Sequence, residues 1–171
     1  MKHAPPSPPK RLRLAALAVL AIGLTAVYLP EFKMFHVHDA AGLHYWHRAG
    51  GFSGFLSGRG GDAVERRARE LSVHEVILRR VDKAAAFAEL LARRGLSARD
   101  FAYVGDDMLD VPVLSQVAFA ATVPEARVEA LAASHYVTER SCGFGAVRDV
   151  IELLLKARGL WDGIVSRGGL P

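Results

Sequence analysis

One short segment constrains the fold of this 171-residue chain more than any other. The apolar run Phe101–Val104 ends in Gly105, and the acids Asp106, Asp107 and Asp110 follow at once. Such a run predicts a buried strand, and the glycine allows a sharp turn at its end. Because open α/β sheets carry their sites at the carboxyl ends of strands, the three aspartates are expected to lie in such a site.

Three neighbouring carboxylates repel one another, and two interpretations account for them. In the first, Asp106, Asp107 and Asp110 surround a cation. Oxygen ligands favour a hard ion such as Mg²⁺, which keeps several waters and also meets a substrate phosphate. In the second, the segment is an acidic turn, and Asp106 or Asp107 caps the next helix. The residues alone favour neither.

The rest of the chain alternates between strand-like and helix-like segments. The predicted strands cover residues 52–56, 73–78, 101–104, 119–122 and 136–138. The predicted helices cover residues 39–49, 62–71, 83–94, 111–117, 126–133 and 145–158, with Asp39 as the N-cap of the first and Gly95 as the stop of the third. This alternation predicts βαβ units in a doubly wound, Rossmann-like parallel sheet with helices on both faces.

The amino-terminal region allows two interpretations. Residues 1–13 are rich in proline and then basic, which predicts disorder. The apolar run 14–29 follows the basic stretch, as in a secretory signal or a membrane anchor, although a membrane span needs about 20 residues. Alternatively, the run is the buried first strand of a parallel sheet, which reads as continuous apolar sequence.

Composition excludes several classes of protein. Hydrophobic residues make up 51% and charged residues 23% of the chain, which is enough for one buried core. The net charge of +4 is modest, and the arginines alternate with glutamates on predicted helices, so no nucleic-acid partner is expected. The single cysteine, Cys142, excludes an internal disulfide and a cysteine metal cage, and it fits a reducing compartment.

Chemically useful side chains follow three predicted strands. Ser57-Gly58-Arg59 offers a hydroxyl and backbone amides near a helix entrance, an arrangement that binds phosphate. Lys83 opens a helix just after a strand and supplies a compact positive charge. Each has a plainer interpretation, as a cap or as a solvent-facing lysine. The order of hydroxyl, lysine and acid cluster favours a phosphate site.

In this order the motifs resemble those of the haloacid dehalogenase superfamily, and within it the cap-less 3-deoxy-D-manno-octulosonate 8-phosphate phosphatases. The resemblance extends from about residue 13 to residue 162. It is carried by residues 35–39, 57–59, 63–68, 82–83, 103–110, 135–138, 145–148 and 155–162. It implies a domain over residues 14–162 and a flexible tail over residues 163–171.

The resemblance also implies a mechanism. In such enzymes one aspartate attacks the phosphate, a second aspartate two positions later acts as acid and base, and Mg²⁺ bridges carboxylates and phosphate. By resemblance, Asp106 is the Mg²⁺ ligand, Asp107 ligates or orients the ion, and Asp110 supports them. Ser57 would hold a phosphoryl oxygen, and Lys83 would neutralise the negative charge.

Further expectations concern the substrate and the assembly. Gly58, Arg59, His36 and Asp39 are candidates to lie near the sugar-acid phosphate. The resemblance implies a homotetramer in which a hairpin gates a neighbour's site. It further implies a cytoplasmic role in lipopolysaccharide core synthesis, with export or anchoring through residues 14–29 as the alternative.

The first motif departs from the family. Where Asp-x-Asp is expected, alignment places Ala18 at the nucleophile and Leu20 at the acid/base, and no acidic residue precedes Glu31. The following hairpin is also shortened. Two functional hypotheses follow: a phosphomonoesterase with impaired catalysis, or a non-catalytic homologue that binds a phosphate ligand or acts as an assembly subunit. A third attributes both departures to a sequence error within residues 14–34.

Overall fold

In the computed structural model, which describes residues 17–20 and 34–169, six parallel strands form one sheet. The strands are β1 (Leu17–Leu20), β2 (Phe52–Leu56), β3 (Glu75–Ile77), β4 (Phe101–Val104), β5 (Phe119–Thr122) and β6 (Tyr136–Val137). Their spatial order is β3-β2-β1-β4-β5-β6. The order reverses between β1 and β4, as in a doubly wound sheet. The predicted fold class is confirmed.

Helices connect the strands and cover both faces of the sheet. They are α1 (Val37–Arg48), α2 (Asp62–Glu70), α3 (Lys83–Arg94), α4 (Val111–Leu114), α5 (Val128–Ala133), α6 (Ala146–Ala157) and α7 (Trp161–Ser166). Helices α1, α2, α6 and α7 bury apolar residues against one face. Helices α3, α4 and α5 bury theirs against the other.

Two cores result from the alternation of side chains along each strand. Phe55 and Val104 point to the first core, under α1 and α6. Their chain neighbours Leu56 and Tyr103 point to the second core, under α3 and α4. A parallel strand that is buried on both faces is apolar at every position, and β4 is buried along its whole length.

Strand β1 lies in the middle of the sheet, between β2 and β4. Its register places Ala18 opposite Ser53 and Ala102, and Leu20 opposite Phe55 and Val104. This part of the apolar run 14–29 is therefore a central strand; the remainder of the run, like residues 1–13, lies outside the described residues. Among the helices that the structure describes, none has the length and apolar character needed to cross a bilayer.

Two predicted helix starts differ from the structure. Helix α1 begins at Val37, and its N-cap is His36 in extended conformation, not Asp39. The Asp39 carboxylate instead accepts a hydrogen bond of 2.9 Å from the backbone nitrogen of Arg148, in the first turn of α6. The helix predicted over 126–133 also starts later, because α5 begins at Val128. The helix predicted over 111–117 begins at Val111, directly after a 3₁₀ turn over Met108–Asp110, but it ends at Leu114.

The folded region continues beyond the predicted boundary at residue 162. That boundary falls inside α7, and Ile164 is only 8% exposed and belongs to the first core. Arg48 also donates a hydrogen bond from Nη1 to the carbonyl of Gly169. Residues 161–169 thus pack against α1 and its neighbours.

A pair of histidines lies at the amino end of β2, opposite the edge where the aspartates lie. His47 Nε2 is 2.7 Å from the hydroxyl of Ser53, which is wholly buried. The backbone nitrogen of Ser53 donates to His74 Nδ1 at 3.3 Å, and the two imidazoles meet edge to face at 4.7 Å. Burial, together with the nearby His74 and His44, lowers the pKa of His47 to about 4.

We expect the thermal stability of the protein to fall as the pH decreases from about 6.5 to about 4. A histidine in an unfolded chain has a pKa of about 6.5. Within this window the unfolded chain binds a proton at His47 that the folded protein binds poorly, so protonation favours unfolding. Melting temperatures followed by circular dichroism should show a weaker dependence on acid pH in His47→Gln. His38→Gln, at an exposed position, is the control. An unchanged pH dependence in His47→Gln would contradict this assignment.

Candidate active site

The loops that follow β2 and β4 meet at one edge of the sheet, because both strands flank β1 and all three run parallel. Ser57 follows β2 directly, and Gly105 and Asp106 follow β4. Lys83 is the first residue of α3 and reaches the same edge through its contact with Asp110. The topology therefore brings together the three elements that the sequence singled out.

Gly105 allows β4 to turn tightly above Asp110. A Cβ atom at this position would lie 2.4 Å from the Cβ of Asp110 and 2.6 Å from its Cγ. It would also lie 2.9 Å from a ring carbon of Tyr103. These distances are too short for any side chain, so glycine is required here by close approach and not by its backbone conformation.

Asp110 is the centre of a buried hydrogen-bond network. Lys83 donates from Nζ to Oδ1 at 2.5 Å, and the Tyr103 hydroxyl donates to the same oxygen. The backbone nitrogens of Asp106 and Asp107 both donate to Oδ2 at 3.2 Å. Asp110 is 0% exposed, and protein donors engage both of its oxygens. It was predicted as a metal ligand, but in this structure it holds Lys83 and the acidic loop in place.

Lys83 carries a positive charge into the site while remaining 8% exposed. Asp82 caps α3 by accepting from the backbone nitrogen of Ala85 at 2.9 Å, which fixes the start of the helix. An ammonium group has three donors, and Asp110 accepts one of them. The ion pair therefore positions the lysine without exhausting its capacity to donate to an anion.

The other two aspartates have different roles. Asp107 is exposed and accepts from the backbone nitrogen of Met108 at 2.7 Å, so the prediction that it caps a helical turn is confirmed. Asp106 is partly buried. Its burial, followed by the charge of Asp110, raises its pKa, and Lys83 opposes that shift. This unfavourable charge would be stabilised by a cation beside it.

The described residues do not complete a metal site by themselves. Within residues 17–20 and 34–169, no three His, Cys, Asp or Glu side chains are grouped so that they could hold a metal ion. Asp106 is the carboxylate best placed for one, with Asp107 beside it. The ligand set Asp106, Asp107 and Asp110 stays a prediction.

The Ser57 loop is held by backbone hydrogen bonds to the segment that leads into α3. The nitrogen of Ser57 donates to Ile77 at 2.9 Å, and its carbonyl accepts from Arg80 at 3.1 Å. The Ser57 hydroxyl accepts from the nitrogen of Arg59 at 3.1 Å, which leaves its own proton available to a ligand. The predicted helix entrance lies further along the chain, because α2 begins at Asp62.

A pocket that is open to solvent lies beside Asp106. His36 and Asp39, the predicted substrate neighbours, line it together with Phe35 and Cys142. The Nδ1 atom of His36 is buried and has no hydrogen-bond partner among the described residues. Burial raises the pKa of Asp39, and its hydrogen bond from Arg148 opposes that shift.

Sequence reasoning missed two kinds of residue. Tyr103 was assigned only to a strand, yet its hydroxyl orients Asp110. The signal was available, because a buried tyrosine in an aliphatic strand needs a hydrogen-bond partner. Phe35 and Cys142 line the pocket, but no local pattern marked either as a wall of this site.

Comparison with known proteins agrees with this geometry. A family model described as haloacid dehalogenase-like hydrolase matches residues 64–151. The 3-deoxy-D-manno-octulosonate 8-phosphate phosphatase of Yersinia pestis is 35% identical over 133 residues, which cover 78% of this chain and 71% of the relative. The chain belongs to the haloacid dehalogenase family. Among its members, it resembles the 3-deoxy-D-manno-octulosonate 8-phosphate phosphatases, as the sequence predicted.

Solved structures of haloacid dehalogenase phosphatases are also similar. The phosphatase of this name from Moraxella catarrhalis, in complex with magnesium, phosphate and KDO, is 30% identical with a TM-score of 0.84. The match covers 90% of this chain and 95% of that chain. The cobalt-bound deoxy-D-mannose-octulosonate 8-phosphate phosphatase from Haemophilus influenzae is 25% identical with a TM-score of 0.79, covering 86% and 92%.

We expect Asp110→Asn and Asp106→Asn to have opposite effects on stability. The first leaves Lys83 buried without its counter-charge and should lower the free energy of unfolding by about 3 kcal/mol. The second removes the Asp106 carboxylate. Because the fold raises the pKa of this carboxyl, its charged form opposes folding at neutral pH, and the free energy of unfolding should stay equal or increase. Urea unfolding at pH 7 measures both. Equal losses would show that Asp106 is as structural as Asp110.

Proposed function

We propose that this protein binds a sugar-acid phosphate of the 3-deoxy-D-manno-octulosonate 8-phosphate type and hydrolyses the phosphomonoester at a much reduced rate. The observation that carries the proposal is the Lys83–Asp110 pair, which fixes a buried positive charge between the Ser57 loop and Asp106. The relative from Moraxella catarrhalis, which holds phosphate and KDO, supports the class of ligand.

Each residue has a role in holding the ester. The Ser57 hydroxyl and the backbone nitrogen of Gly58 would donate to the phosphoryl oxygens. Lys83 would offset their negative charge, and such preorganised electrostatics are usually the largest contribution to catalysis. Asp39 would face the sugar in the adjacent pocket, together with His36, whose buried Nδ1 has no hydrogen-bond partner among the described residues.

The carboxylates that remain fit a divalent cation that binds together with phosphate. Mg²⁺ is commonly held by one or two carboxylates plus substrate phosphate, and here Asp106 and Asp107 would supply them. When bound, such an ion withdraws charge from the phosphoryl group. Magnesium in one relative and cobalt in another support divalent metal use. Because Asp110 is engaged elsewhere, we expect weak metal binding without phosphate.

The aligned nucleophile and acid/base positions carry Ala18 and Leu20. An alkyl side chain neither attacks phosphorus nor transfers a proton. Loss of an essential nucleophile removes several orders of magnitude in rate. The register of β1 places Leu20 opposite Val104, the last residue before Gly105, so position 20 ends the described strand nearest to the acidic loop. We therefore expect the protein to retain phosphate binding although hydrolysis is largely lost.

The second candidate is a non-catalytic homologue that binds a phosphate ligand or acts as an assembly subunit. The replacement of both acids favours it, while Ser57 and Lys83 remain. Under either candidate, we propose a homotetramer and a cytoplasmic role connected with lipopolysaccharide core sugars, as the family resemblance implies. The names of the relatives support the sugar-acid phosphate as the class of ligand.

Phosphate release from 3-deoxy-D-manno-octulosonate 8-phosphate with Mg²⁺ separates the candidates. We expect the wild type to be roughly 10³-fold or more slower than an Ala18→Asp/Leu20→Asp variant. Asp106→Ala in the restored background should abolish turnover. Calorimetric titration of inorganic phosphate provides the binding measurement.

Three outcomes decide the matter. Rapid wild-type turnover that Asp106→Ala abolishes would show that another nucleophile serves and that the alignment of β1 is wrong. Phosphate binding without any turnover would select the non-catalytic candidate. A folded wild type that neither binds phosphate nor hydrolyses the ester would refute the proposal.

A further inference from the structure

Arg79 has a strained backbone beside the Ser57 loop. Its φ of 59° lies in the left-handed region, which residues other than glycine rarely adopt. Ser72 shares this feature at φ 53°, but it directly follows the end of α2, where left-handed residues are common. Arg79 instead lies between β3 and α3. Such strain persists where the surrounding structure enforces it, and it concentrates at functional sites.

Hydrogen bonds fix Arg79 against the Ser57 loop. Its backbone nitrogen donates to the carbonyl of Arg59 at 3.3 Å, while the next residue, Arg80, donates to Ser57. Its side chain lies across Gly60. A Cβ atom built at Gly60 would be 2.8 Å from Arg79 Cγ and 2.9 Å from Nε. The arginine therefore occupies space that the glycine leaves open.

The charge of Arg79 is not neutralised by the described protein. Four arginines on neighbouring elements are ion-paired with glutamates: Arg67, Arg80, Arg93 and Arg94. Arg79 is exposed, and within residues 34–169 it takes part in no ion pair. An exposed guanidinium at the rim of the Ser57 loop can bind a second anionic group.

A sugar-acid phosphate carries two anionic groups, at opposite ends of its carbon skeleton. In the proposed function, Ser57 and Lys83 bind the phosphate group. The Arg79 side chain lies against Gly60, three residues along the loop from Ser57, and is therefore placed beside the proposed phosphate position. A guanidinium presents a planar fork that matches a carboxylate with two hydrogen bonds.

We propose that Arg79 binds the carboxylate of the sugar acid and thereby selects acidic sugar phosphates over neutral ones. The inference rests on the proposed function, since it assumes that the Ser57 loop holds the phosphate. Arg79 is a specificity-determining residue in this scheme and takes no part in bond cleavage. The Arg79 side chain can lie along the loop because Gly60 has no side chain.

Calorimetric titrations of the full chain with Mg²⁺ test this assignment. The probes are inorganic phosphate, glucose 6-phosphate and 3-deoxy-D-manno-octulosonate 8-phosphate. Arg79→Gln should weaken binding of the sugar-acid phosphate by about 10- to 100-fold and change the other two by less than about twofold. Arg79→Lys should be intermediate, because it keeps the charge and loses the fork. Arg69→Gln, an exposed arginine near the end of α2, is the control for net charge.

Two further variants separate the side chain from the backbone strain. Gly60→Ala should displace the Arg79 side chain and selectively weaken binding of the sugar-acid phosphate, although it removes no charge. Arg79→Gly relieves the left-handed strain, so its melting temperature should not decrease, yet it should show the same selective loss as Arg79→Gln. Circular dichroism confirms that each variant is folded.

The outcomes distinguish this inference from the proposed function. Wild-type affinities in Arg79→Gln, or an equal loss for all three probes, would refute a carboxylate contact. A wild type that binds phosphate and glucose 6-phosphate as tightly as the sugar-acid phosphate would refute the inference alone. A wild type that binds none of the probes would overturn the proposed function and this inference together.

Discussion

The site depends on the buried ion pair between Lys83 and Asp110. The pair joins the start of α3, which connects β3 to β4, to the loop that follows β4. The same carboxylate closes the turn that carries Asp106 and Asp107. A buried pair of this kind adds little net stability, but it is costly to break. It therefore fixes the geometry of the edge and the position of its positive charge.

The surrounding charges divide between structure and ligand. Both carboxylate oxygens of Asp110 accept hydrogen bonds from the protein, and one oxygen of Asp107 caps the turn, whereas Asp106 keeps a carboxylate whose charge the fold disfavours. On the other side, Arg80 is neutralised by Glu89 while Arg79 remains exposed. Charged groups that the protein leaves without a counter-charge, beside groups that are paired, indicate where a ligand of opposite charge would bind.

Sequence patterns predicted the sheet, its helices and the edge at which the motifs meet, because buried parallel strands and glycine stops follow from local chemistry. They did not predict how each polar group is used. The contact of Asp39 with Arg148 joins residues more than 100 positions apart. Likewise, the engagement of Asp110 by Tyr103 and Lys83 depends on packing across the sheet, which no local spacing encodes.

The central position of β1 limits which residues the strand can hold. A strand paired on both sides and set between two helical layers is most readily filled by apolar residues, as β1 now is with Leu17–Leu20. Each acid regained there would add a charge next to Asp106, whose own charge is already disfavoured. Each single substitution of Ala18 or Leu20 by aspartate would therefore lower the stability of the fold.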